Sequence, residues 1–212
     1  DIWVEDSPEN SARVYKALPG DNEKALETAG GLLGQRPGRA VIIENDTPVN
    51  TILDLAPIIS KHIKPDCVVC DVGSTKKELV LRLDEVFTRY VGAHPLAGSE
   101  KQGIINASSE LFKGSVCILT PTNNTDPAAL SKIKRFWVAS GAKVIFLSPD
   151  AHDKVLSFSS HLPHIAAFSL INTVPDKYLG LAAKGLKDTT RIAASDAHLW
   201  LDIFLSNRKN LT

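Results

Sequence analysis

Up to residue 149 the chain alternates short apolar runs with amphipathic stretches. The runs are "IWVED" at the start, "RAVIIE" (39–44), "DCVVCDV" (66–72), "YVGA" (90–93), "SVCILTP" (115–121) and "AKVIFLSP" (142–149). Each is short, rich in Val and Ile, and bounded by Gly, Pro, Asp or Ser, which predicts strands. Between them lie helix signals. Ser7 with Pro8 opens a helix to about Leu18, and a short helix is expected near Glu23 to Thr28. Thr47 with Pro48 opens the next, with Ile52, Leu55, Ile58 and Ile59 on one face. Thr75 and Glu78 have the spacing of a capping box for a helix over "KKELVLRLDEVF". Asp126 caps "PAALSKIKRFWVAS", and Gly141 stops it. Strand alternating with helix predicts a parallel sheet with crossover helices. After Pro149 the period changes. "DAHDKVLSFSSHLPHIAAFSLINTV" is a long apolar helical stretch, and two or three more helices follow. The expected architecture is an α/β, Rossmann-like domain over residues 1–149 and an all-helical domain over 150–212.

Bulk properties narrow the classes. The chain has 212 residues, 43% hydrophobic and 23% charged, enough for a real core. Lys plus Arg and Asp plus Glu both number 24, so no basic surplus points to nucleic acid. No apolar run is long enough to span a membrane, and no signal-peptide pattern opens the chain. Three cysteines do not make a disulfide framework. The expected compartment is therefore the reducing cytoplasm. The sequence contains no Met and opens directly on a strand, as a piece of a longer chain would. An apolar helical part that ends soon after it begins calls for cover from a partner subunit or from further helices.

Candidate chemistry sits where strands end. In "RYVGAHPLAGSE" the apolar run stops at His94, and Pro95 holds His94 extended. Ligands of open α/β sheets bind at such carboxyl ends. A lone histidine is as a rule structural or simply exposed; the strand tip and the turn after it favour a functional one. "DVGSTK" (71–76) puts Ser74 past another strand end, on the same edge as His94. Ser74 reads either as ordinary helix capping or as a second donor to one substrate hydroxyl. "SSHLPH" (159–164) sets His161 and His164 three apart, with Pro163 as a break. These are two surface histidines, two imidazoles facing a polar substrate, or, with His152 and Asp153, a metal site short of ligands. In "KGLKDTTRIAAS" (184–195) Arg191 reads as half-buried. Its anion is Asp188, Asp196 or Asp202, or else a substrate carboxylate held by two hydrogen bonds. "CVVC" (67–70) lies in a strand, so its thiols face opposite sides and read as small buried hydrophobes. "AGGLLG" (29–34) is a weak match to a phosphate loop.

Taken together, "GAHPLAGSE", "DVGSTK", "SSHLPH" and "KDTTRIAASDAHLWLDIFLSN" resemble the prephenate/arogenate dehydrogenases of tyrosine biosynthesis over roughly residues 39 to 210. The resemblance implies an N-terminal Rossmann domain and a helical domain that forms a homodimer. It implies oxidative decarboxylation of the small molecules prephenate or arogenate, with NAD or NADP and no metal. It casts His94 as the base on the ring C4 hydroxyl and Ser74 as its hydrogen-bonding partner. Ser160, His161 and His164 belong to the family's active-site segment. The resemblance gives Arg191 the substrate's side-chain carboxylate, with Lys187 nearby, and gives Ser99 and Glu100 the position that gates the pocket or senses the amino acid product. For the cofactor the implied residues are Glu5 or Asp6 on the adenosine ribose, with Thr47, Pro48, Val49 and Gly73. A carboxylate on the ribose favours NAD over NADP, provided the opening strand is the family's second strand.

The family also begins with a strand and a G-x-G-x-x-G turn, and this sequence carries no such motif. Two alternatives follow. One is a non-catalytic, truncated relative that binds an aromatic amino acid or another carboxylate. The other is a different hydroxy-acid dehydrogenase of the same architecture.

Overall fold

The computed structural model describes residues 2–4, 13–15, 40–43, 49–97 and 110–212. Within them a seven-stranded sheet runs in the order β2-β1-β3-β4-β5-β6-β7. The strands are β1 (Ile2–Val4), β2 (Arg13–Tyr15), β3 (Ala40–Ile43), β4 (Val68–Asp71), β5 (Tyr90–Pro95), β6 (Val116–Leu119) and β7 (Lys143–Phe146). β3, β4 and β5 are parallel neighbours, the Rossmann-like centre that the alternating pattern implies.

Helix α1 (Val49–His62) leads into β4, α2 (Lys77–Val86) joins β4 to β5, and α3 (Pro127–Ala139) joins β6 to β7. Strand alternation divides the core between the two faces of the sheet. Val69 and Tyr90 pack with Ile52, Ala56 and Ile59 of α1 and with Leu79, Val80 and Leu83 of α2. Val68, Cys70, Val91 and Ala93 pack on the other face with Ala129, Ile133 and Trp137 of α3. Cys67 joins the first cluster and Cys70 the second, as opposite-facing apolar residues do. Gly92 lets α2 lie close: a Cβ there would sit 2.5 Å from Thr120 Oγ1 and 2.8 Å from Val80 Cγ2.

Several expectations are corrected. β1 runs antiparallel to both β2 and β3. The opening strand thus has the reverse of the direction that a ribose-binding second strand needs. Arg13–Tyr15 is a strand, not part of a helix from Ser7; Val14 and Tyr15 are strand formers and pair with β1. β6 is antiparallel to β5 and parallel to β7, so the sheet is not wholly parallel. β5 does not stop at Ala93 but continues through His94 and Pro95 against Ile118 and Cys117. Thr120 N–H bonds Gly92 O and Leu96 N–H bonds Val116 O, which leaves Pro95 at a rung that needs no donor.

From Pro149 onward the chain is helical. α4 (Pro149–Leu156) is capped by the Ser148 hydroxyl, a π-helical turn (Ser157–His161) follows, and α5 (Leu162–Thr173) continues. Pro163 lacks the N–H that an α-helical bond to Ser159 would use, and the wider turn lies just before it. Then come α6 (Asp176–Leu179), α7 (Lys184–Thr190), a 3₁₀ turn (Arg191–Ala194), α8 (Ala197–Ser206) and α9 (Arg208–Leu211). No helix among the described residues is long and apolar enough to cross a membrane.

Candidate active site

One aspartate of the helical part, Asp153, reaches the carboxyl edge of the sheet. The two first N–H groups of α2 face Asp153 of α4. Lys76 N–H donates to Oδ1 at 2.7 Å and Lys77 N–H to Oδ2 at 2.9 Å. Asp153 therefore fills the capping role expected of Thr75, whose hydroxyl instead donates to Ser206 Oγ at 3.1 Å. A carboxylate at a helix N-terminus is favoured by the free N–H groups and the dipole together. Burial alone would raise the Asp153 carboxyl; the His152 hydrogen bond and the Lys77 and Lys76 amides outweigh it and hold it below the usual range.

Two imidazoles continue from that carboxylate. His152 Nδ1 lies 2.8 Å from Asp153 Oδ1, and His152 Nε2 lies 2.8 Å from His94 Nδ1. His152 is fully buried. Burial pushes its basicity down against the pull of Asp153. His94 is held well below the ordinary histidine value by burial first, then by His152, the Lys76 ammonium and His161. Lys76 is itself buried, its ammonium on Asp71, which also accepts from Tyr90 OH and from the Gly73 N–H. The result is a neutral His94 at neutral pH.

A cavity of about 430 Å³ opens beside this chain of groups. Ser74, His94, Leu156, Ser160, His161 and Trp200 are among its lining residues. His161 Nδ1 accepts from Asn207 Nδ2 at 3.0 Å, and the same amide donates to the Asp153 carbonyl at 2.7 Å. Burial lowers His161 to about 4. His164 Nδ1 donates to the Ser160 carbonyl at 2.9 Å, and its ring stacks on Trp200 with centroids 3.5 Å apart. The site thus offers neutral imidazoles, the hydroxyls of Ser74, Ser159 and Ser160, and an indole face. It can accept a proton, hydrogen-bond a hydroxyl and seat a flat ring.

The sequence matches the nucleotide-binding domain of prephenate dehydrogenase over residues 38–146, and its dimerization domain over 148–212. The chain belongs to the prephenate dehydrogenase family. It is 36% identical over 188 residues to the prephenate dehydrogenase of Bacillus subtilis, covering 84% of this chain and 50% of that one. A solved A. aeolicus prephenate dehydrogenase, in complex with hydroxyphenyl propionate and NAD+, is 40% identical with a TM-score of 0.75. That match covers 81% of this chain and 62% of the solved one. Synechocystis arogenate dehydrogenase is 29% identical with a TM-score of 0.70, over 89% and 72% of the two chains. The chain spans about half the length of the curated prephenate dehydrogenases it matches.

Of the family-implied residues, Ser74, His94, Ser160 and His161 line one cavity although they come from three distant segments. His164 reaches it through its stack on Trp200. Lys187 and Arg191 do not line it; both are exposed, which corrects the half-buried reading of Arg191. Arg191 has no ion pair among the described residues. Asp188 pairs with Lys184, and Asp196 caps α8. Gly73 is buried beneath Leu79, where a Cβ would lie 2.6 Å from Cδ1. Val49 opens α1. Glu5, Asp6, Thr47, Pro48, Ser99 and Glu100 lie outside the described residues.

Sequence reasoning missed Trp200 and Asn207, and weighed His152 and Asp153 only as metal ligands. The signal was there in part: "AHD" opens an apolar helix, and a buried His-Asp pair needs partners.

Proposed function

We propose that the protein catalyses oxidative decarboxylation of prephenate, or of its amino analogue arogenate, with NAD. The observation that carries this reading is a neutral His94 beside Ser74 in one cavity at the carboxyl edge of the sheet, in a chain of this family. The carboxyl ends of parallel β3, β4 and β5 share that edge, where dinucleotides bind in open α/β sheets, and the loop after β4 carries Gly73 and Ser74 there. Bound along it, NAD would supply the acceptor for the hydride leaving the ring carbon that bears the hydroxyl.

The chain's own groups do the rest. His94 takes the hydroxyl proton, which a neutral imidazole does near pH 7. Ser74 holds the same hydroxyl in place. Trp200 and Leu156 give the ring a flat, apolar wall. Loss of the ring carboxylate as CO₂ then leaves an aromatic product. Arg191 is free of the aspartates beside it, and its 3₁₀ turn packs against α5, so we assign it the side-chain carboxylate, with Lys187 one helical turn before it. The unit is proposed to be a homodimer. Phe158, Leu162, Leu201 and Leu205 are all more than half exposed within residues matching the dimerization domain.

The test is nicotinamide reduction on mixing purified protein with NAD and either prephenate or arogenate. Turnover of one or both, with matching release of CO₂, supports the reading. Binding of an aromatic carboxylate without turnover would favour a non-catalytic relative instead.

A further inference from the structure

We infer that His152 and Asp153 fix the tautomer of His94, so that the proton-accepting nitrogen is its Nε2. The inference deepens the proposed role of His94 and rests on that reading for its catalytic part only.

Each hydrogen in this chain of groups has one place to sit. Asp153 receives two backbone N–H groups, from Lys76 and Lys77, and stays ionised, so it can only accept. The hydrogen in its 2.8 Å contact with His152 must then sit on His152 Nδ1. A neutral imidazole carries one N–H, which leaves a lone pair on His152 Nε2. That atom lies 2.8 Å from His94 Nδ1, so His94 must supply the hydrogen there. A neutral His94 with its hydrogen on Nδ1 carries its lone pair on Nε2. The other tautomer would set two lone pairs against each other at 2.8 Å in a part-buried site. The groups facing the pair are His161, Lys76, Asp71 and Asp153. Lys76, the cation among them, disfavours a second proton on either ring.

When His94 takes the substrate proton on Nε2, its Nδ1–H keeps donating to His152, and His152 keeps donating to Asp153. No proton leaves His94 by this route. Asp153 and His152 are positioning residues, and the same carboxylate holds the start of α2, just after Ser74. One side chain of the helical part therefore sets both the base and the helix behind its hydroxyl partner.

The experiment is imidazole ¹⁵N–¹H correlation NMR on the full chain at neutral pH, with histidines assigned by substitution. The expected spectrum shows His94 and His152 each protonated on Nδ1 alone. His94 protonated on Nε2, or an imidazolium at His152, would overturn the inference. That readout needs no substrate, so it stands apart from the proposed activity. In turnover assays His152→Phe should lower kcat by ~10-fold or more, within the range a general base contributes, with KM little changed. His152→Gln, which keeps an acceptor for His94 Nδ1–H, should recover much of it. The acid limb of the pH profile should move in His152→Phe. Unchanged kcat and pH profile in a folded His152→Phe protein would also overturn the inference.

Discussion

Acid should unfold this protein through its neutral histidines, and His161 gives the size of the effect. In the fold His161 titrates at about 4 because it is buried, against 6.5 for an unperturbed histidine. Between those values the unfolded chain binds a proton that the native chain refuses. Stability therefore falls as pH drops through that window and is fully kept above it. At 1.36 kcal/mol per unit, His161 alone costs about 2 kcal/mol on going from pH 7 to 5 and about 3 kcal/mol by pH 4. His94 and His152 are shifted in the same direction and add to the slope. Urea titrations followed by far-UV circular dichroism at several pH values measure this directly. In His161→Gln an acceptor for Asn207 remains while the titrating group is gone. Its absolute stability differs, but its slope between pH 6.5 and 5 should be lower by about 0.8 proton on average, or ~1 kcal/mol per pH unit. The shift of Asp153 is common to both proteins and cancels in the difference. Equal slopes for the two proteins, or stability that is flat from pH 7 to 5, would refute the reasoning.

Further outcomes follow from the same geometry. His94→Asn should lower kcat by ~10² to 10⁴ with KM nearly kept, read by steady-state nicotinamide reduction. Asp153→Ala removes the acceptor for two helix amides and for His152, and should lower unfolding free energy by about 2 kcal/mol or more in denaturant titrations. Gly92→Ala puts a methyl against Thr120 and Val80 and should cost about 1 to 3 kcal/mol, seen as an earlier thermal transition. Arg191→Ala should leave the melting temperature where it is, because the side chain is exposed and unpaired among the described residues, while raising KM more than it lowers kcat.

What could be read from the sequence was what local chemistry decides. Asp126 and Gly141 bracket α3 because a side-chain cap and a positive φ are properties of single positions. The apolar face of α1 follows from spacing alone. Strand direction was not legible, because an apolar run looks the same in either direction; β1 and β6 show the consequence. Thr75 and Glu78 had the right spacing for a capping box, yet a carboxylate 77 positions away from Lys76 took the role. A buried charge outcompetes a hydroxyl for the same amides. The cavity was legible at Ser74 and His94 because Ser74 lies just past β4 and His94 near the carboxyl end of β5, on one edge. Its inner chain, from Asp153 through His152, was not, since no local pattern links positions 94 and 152.

The central claim is that His94 removes the hydroxyl proton while hydride leaves the same carbon. The most direct measurement is the rate of NAD reduction with prephenate or arogenate, followed against pH in the native protein and in His94→Asn. The account predicts turnover in the native protein that rises through an acidic ionisation, and loss of both turnover and that ionisation in the variant. Near-normal turnover by His94→Asn with an unaltered pH profile would contradict it.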